Sequence, residues 1–137
     1  MSVLSKVLTS VFGRKSDKDL KKISPIVERI NDKYNSLNSL SDKELKLKFK
    51  KIKDDLHVLI VKNKKKYLDE NKDVNTVDDL LYKDESEYLD DHMVEVFAIV
   101  KDAARRLCGS TYQVMGQKTN WDMVPYDVQL IGVIVLH

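Results

Sequence analysis

Apolar residues recur every third or fourth position through most of this chain, and that period divides it into amphipathic helices. In residues 2–12, SVLSKVLTSVF, one face carries Val3, Leu4, Val7, Leu8, Val11 and Phe12, with Ser, Lys and Thr opposite; Gly13 ends the segment and Arg14-Lys15 follow. A second stripe joins Leu20, Ile23, Val27, Ile30, Tyr34 and Leu37, with Ser16 and Asp19 placed to cap its start. Pro25 falls inside that stripe and is expected to kink the helix or move its start later. Ser41-Asp-Lys-Glu44 is a full capping box, predicting a helix through Leu45, Phe49, Ile52 and Leu56. Residues 69–92 are acidic and polar, and read as a loop with a short helix around Thr76–Tyr82. From about Asp90 to Leu107 a firmer helix is predicted, with Met93, Val96, Phe97, Val100, Ala104 and Leu107 as its core face and Cys108-Gly109 as its stop.

The pattern then changes. Thr111–Met123 is rich in strand formers around Gly116, which predicts a β-hairpin with Trp121 as a packing residue. Pro125 sits where a first-turn proline belongs, and Tyr126–Leu136 returns to helix. The fold class is therefore mainly α with a small β-hairpin. Its segments are an amphipathic helix at 1–15, a helical region at 16–109, a hairpin at 110–124 and a last helix at 125–137.

Composition narrows this picture. At 137 residues the chain is one domain or part of one, and its 4 Gly and 2 Pro are too few for an all-β fold built on tight turns. Cys108, the single cysteine, cannot form an internal disulfide, so a reducing compartment is expected and the thiol is read as buried or half-buried. The net charge of +2 hides an asymmetry: residues 1–66 hold 18 Lys/Arg against 8 Asp/Glu, and residues 67–97 hold 2 against 11. A basic first half suits an anionic partner, while the acidic middle argues against nucleic acid wrapped along the whole length. The run Lys62–Lys66 has only Tyr67 beside it for base stacking, so it reads as a solvated helix end. No apolar run approaches the roughly 20 residues of a membrane-spanning helix, and the first residues lack the order of a secretory signal.

Catalytic chemistry is sparse. His57, His92 and His137 are isolated, no Cys/His cluster has metal-ligand spacing, and no Gly-rich phosphate loop occurs. The remaining handle is Gln129, whose amide can accept from the exocyclic amine of adenine while donating to its N7. Tyr126, three residues earlier, shares its helical face. Spacing alone does not separate that role from a polar residue on a surface helix.

Four blocks carry a resemblance: MSVLSKVLTSVFG, LSDKELKLKFKKIKDDL, EVFAIVKDAARRLCG and MVPYDVQLIGVIVLH. In that order they resemble the N-terminal region of the SecA family, ATPases that drive preproteins through the bacterial SecY channel. The resemblance implies that the fold is the N-terminal piece of an α/β P-loop (RecA-like) motor domain. It implies that aromatic-Asp-Val-Gln is an adenine-recognising Q motif, with Gln129 as its glutamine, Tyr126 as its aromatic and Met123 as its methionine. A phosphate-binding loop would lie beyond His137, so ATP, with Mg in the full-length protein, is the implied cofactor and these residues alone are expected to be inactive. Hairpin 110–124 resembles an insertion found in some branches. Two positions depart from the family pattern: Pro125 stands in place of a histidine, and Val133 in place of the second of two glycines.

The implied partners are the SecYEG channel, preproteins and an acidic phospholipid surface, with a homodimer possible and no nucleic acid expected. The implied location is cytoplasmic, peripheral on the inner membrane. Val3, Leu4, Lys6, Val7, Leu8, Val11, Phe12, Arg14 and Lys15 would then form the membrane- and channel-binding end. The alternatives are a non-enzymatic helical adaptor that binds membrane or a partner through its first helix, and a weaker RNA-binding helicase-like reading.

Overall fold

The structure is a computed structural model that describes residues 16–137, with side chains from Leu20 onward. The amphipathic segment ending at Lys15 lies outside the described residues. Helix α1 spans Ser16–Ser36, a 3-10 turn covers Leu37–Ser39, and α2 spans Asp42–Asp69. Helix α3 runs Val74–Leu107, strands β1 (Thr111–Val114) and β2 (Gln117–Asn120) form a two-stranded antiparallel sheet, and α4 spans Asp127–Leu136.

Local chemistry sets most of these boundaries. Ser41 starts α2 through the expected capping box: its hydroxyl accepts from the Glu44 backbone N–H, and Glu44 accepts from the Ser41 N–H at 2.7 Å. Asp73 caps α3 by accepting from the Thr76 backbone N–H at 3.1 Å. Asn71 takes a left-handed φ of 57° in the turn between α2 and α3, a conformation asparagine tolerates better than most residues. Gly109, at φ 86°, turns the chain away from α3 as its sequence position predicts. Met115 and Gly116 both have positive φ, the backbone that a two-residue hairpin turn requires.

The core is small and lies at one end of the long helices. Val27, Ile30, Leu37, Leu45, Ala98, Ile99, Leu130 and Ile131 form one buried cluster, drawn from α1, the 3-10 turn, the first turn of α2, the last third of α3, and α4. Beyond it α2 and α3 continue as an antiparallel pair tied by polar contacts. Lys48 reaches Glu95 at 2.6 Å, the Tyr88 hydroxyl donates to the Ile52 carbonyl at 3.0 Å, and Asn63 and Tyr67 both donate to Asp84 at 2.8 Å.

Five sequence expectations are corrected. The acidic stretch at 69–92 is not a loop: all but its first five residues belong to the 34-residue helix α3. Asp84 accepts from Asn63 and Tyr67 of α2 and Tyr88 donates to the Ile52 carbonyl, so a partner helix stabilises what composition alone marks as solvated. The buried face of α3 centres on Ala98, Ile99, Asp102 and Ala104, while Val100 and Leu107 are exposed, because α1, α2 and the 3-10 turn contact α3 from different sides. Pro25 lies inside an uninterrupted helix on an exposed position, where the carbonyl deprived of its donor can take water. Pro125 lies before Tyr126, the N-cap of α4, rather than in its first turn, and Cys108 is exposed.

These ion pairs predict acid sensitivity. Glu95 sits between Lys48 and Lys33, and the Lys48 hydrogen bond holds its pKa below the ordinary 4.5. Arg106 lowers Asp42 below 3.8, and hydrogen bonds from Ser41 and Thr76 lower Glu44 and Asp73. Each group is easier to ionise when folded, so its contribution is complete above the unfolded pKa and is lost as pH falls through the folded one. The urea midpoint is expected to be flat down to about pH 5 and to fall progressively toward about pH 3, with Glu95→Gln blunting the fall. A midpoint that holds steady across that window would contradict the pairings.

Candidate functional site

The last two turns of α3 carry two buried ions side by side. Asp102 is fully buried and accepts from Arg105 Nε and Nη2 at 3.0 and 2.7 Å, and from Arg106 Nε at 2.8 Å. Arg106 continues outward to Asp42 at 2.7 Å and to the Leu37 and Leu40 carbonyls at 3.2 and 2.8 Å. One guanidinium thus locks the end of α3 to the α1–α2 connection, and these carboxylates raise its pKa above the usual arginine value, Asp42 foremost.

The hairpin then returns the chain to α3. Gly109 N–H donates to the Trp121 carbonyl at 2.9 Å and Trp121 N–H to the Ser110 carbonyl at 2.8 Å, which closes the base of the hairpin. The Trp121 indole N–H is shared between the Ala104 carbonyl at 3.0 Å and the Met123 carbonyl at 2.9 Å. Trp121 thus ties the hairpin to α3 and delivers Met123–Tyr126 beside it.

Helix α4 is anchored at its first residue. Asp127 accepts from Asn31 Nδ2 at 2.9 Å, and Lys101 Nζ lies 2.7 Å from Asn31 Oδ1 and 3.5 Å from Asp127 Oδ1. Lys101 also stands 5.3 Å from the centre of the Tyr34 ring. Leu130 and Ile131 fill the core below. On the opposite side Gln129 is exposed, and its Oε1 accepts from the Tyr126 backbone N–H at 2.8 Å. That contact satisfies a donor at the helix start, and the oxygen's second lone pair and the Nε2 hydrogens remain able to pair with a base edge.

Gln129 and Met123 both line a cleft of about 440 Å³, walled by Phe97, Trp121, Pro125 and Leu130. Tyr126 does not line it and is 75% exposed. The geometry brings together two of the three predicted residues and leaves the third outside. The apolar wall and adjacent amide suit a planar base, while among the described residues no cluster of acidic, His or Cys side chains could hold a metal ion. Sequence reasoning missed Asn31 and Lys101. Each is one polar residue on a helix with many, and their only signal is a position on the inward stripe of its helix.

The comparisons decide what this helix–hairpin–helix arrangement is part of. Residues 8–137 match the family model of the SecA DEAD-like domain. The chain belongs to the SecA family. It is 42% identical over 149 aligned positions to the protein translocase subunit SecA of Prosthecochloris aestuarii, covering 96% of this chain and 14% of that protein. Identity is 43% to the SecA subunits of Chlorobium phaeobacteroides strain BS1 and Chlorobaculum tepidum, with the same coverage. The chain therefore spans about one-seventh of the length of the SecA relatives it matches. No solved structure matches it. As a SecA N-terminal region the chain is mostly helical with one antiparallel hairpin, and no helix among the described residues is long and apolar enough to cross a membrane.

Proposed function

We propose that this chain is the N-terminal part of an ATPase that moves preproteins through the SecY channel, and that the first turn of α4 recognises the adenine of ATP. The observation that carries the proposal is the continuous match of residues 8–137 to the SecA DEAD-like domain. The exposed Gln129 amide beside an apolar cleft supports the adenine assignment. Gln129 would hold the base edge and Met123 would pack against its plane; Tyr126 would reach it only by a change of rotamer or by a base bound outside the cleft. Bound ATP supplies the hydrolysable phosphoanhydride, and the residues that cradle its phosphates and Mg would lie in the remainder of a full-length protein. The basic, amphipathic start (Val3–Phe12 with Lys6, Arg14 and Lys15) would attach to the channel and to acidic phospholipid on the cytoplasmic side of the inner membrane.

The 137 residues themselves hold a base contact without a phosphate cradle. A contact of a few kcal/mol predicts affinity no better than roughly millimolar, since 1 mM already requires about −4 kcal/mol. Titration calorimetry of the chain with ATP is expected to show binding at that level or none, and no phosphate release. The full-length protein is expected to hydrolyse ATP and to import a preprotein into membrane vesicles carrying the channel. A full-length protein that binds vesicles but neither binds nor hydrolyses ATP would replace this reading with that of a membrane adaptor.

A further inference from the structure

Lys101 is a cation at 8% exposure, and nothing within α3 requires it there. Its three neighbours lie on other helices: Asn31 and Tyr34 on α1, and Asp127 on α4. Burying an ion pair adds little net stability compared with apolar residues of the same volume, so what such a pair supplies is a defined geometry. Here the geometry defined is the start of α4. Asp127 is its first residue, Asn31 and Lys101 both converge on Asp127 Oδ1, and Gln129 closes the same turn through Tyr126 N–H.

We propose that Lys101 and Asn31 are positioning residues for base recognition: they hold the first turn of α4 so that the Gln129 amide stands at a set height and angle over the cleft. This rests on the adenine reading above. Because α1 carries Asn31 and α3 carries Lys101, the helical region is wired to the base site, and a shift between α1 and α3 is passed to Gln129. Loss of the Lys101 charge leaves Asp127 with Asn31 alone, and the turn gains freedom that a bound base must then remove.

The test uses the full-length protein and compares the ratio of KM values for GTP and ATP in four variants: Lys101→Met, Lys101→Arg, Asn31→Ala and Gln129→Glu. The Gln129 variant serves, through its ATP KM, as the reference for lost donation to the base. Lys101→Met and Asn31→Ala are expected to lower the ratio by about fivefold or more, through ATP KM rather than kcat, the lower end of a typical site-to-site coupling. Lys101→Arg, which can serve both acceptors, is expected to restore it to within about twofold. A ratio unchanged in the Met and Ala variants, with only the melting temperature reduced, overturns the proposal and leaves Lys101 a structural ion. If Lys101→Met does not fold, Asn31→Ala decides alone, since it keeps the Lys101–Asp127 pair. An unchanged ATP KM in Gln129→Glu, which can no longer donate to N7, removes the adenine reading and the positioning role with it, which separates that failure from the first.

Discussion

Asp102→Ala is expected to destabilise the chain by about 3–5 kcal/mol, the cost of removing one partner from a buried ionic cluster. The carboxylate is fully buried and receives three hydrogen bonds from Arg105 and Arg106. Deleting it leaves two guanidinium groups facing one another across a cavity. Arg106, the less exposed of the two, would keep only Asp42 and the Leu37 and Leu40 carbonyls. Against a typical total stability of about 5–15 kcal/mol, that loss removes between about a fifth of the total and all of it. Asp102→Asn keeps one acceptor but turns an amide N–H toward an arginine N–H, so it should recover only part of the loss. Arg106→Lys should also be costly, because a single ammonium cannot reach Asp102, Asp42 and two carbonyls at once. Urea unfolding followed by helical circular dichroism reads all three. A loss under about 1 kcal/mol for Asp102→Ala would mean that the cluster is hydrated and does not lock the helices together.

The second large effect concerns Gln129 in the full-length protein. A bidentate amide–adenine pair is worth about 1–3 kcal/mol of discrimination, or roughly five- to 150-fold between ATP and GTP. Gln129→Ala would remove that pair, but it would also remove the bond that Oε1 accepts from Tyr126 N–H, so its result would mix two causes. Gln129→Glu separates them. A carboxylate accepts from Tyr126 N–H at least as well, and favours the positive end of the helix dipole, so α4 should start as before. It cannot donate to N7 of the base. The expected result is an unchanged melting temperature with ATP KM raised about fivefold or more, while preference over GTP persists because the carboxylate still accepts from the adenine amine and meets only acceptors on guanine. An unchanged ATP KM in Gln129→Glu would reduce Gln129 to a helix cap.

Part of this molecule could be read from local pattern. The Ser41–Glu44 box, the Gly109 stop and the Thr111–Met123 hairpin are encoded within a few residues, because capping and turn formation satisfy nearby backbone groups. Leu130 and Ile131 could be placed in a helix for the same reason, and the residues of the last block pointed to Gln129 through their resemblance to a known family.

Contacts between distant segments decided the rest. Residues 74–92 form helix because α2 lies alongside to receive Asp84 and Tyr88; in isolation their composition favours water. Asn31 lies 70 residues from Lys101 and 96 from Asp127, yet the three meet around one buried charge. Tyr126 shares a helical face with Gln129 by count, but it is the N-cap and not a helical residue, so the shared face does not exist. The sequence by itself determined the starts and stops that local caps and turns set, at Ser41, Gly109 and the hairpin, since those are matters of hydrogen bonds within a turn or two. Only the tertiary structure decided which polar side chains are buried and what they hold, because a buried charge is stable only where partners remote in sequence converge on it.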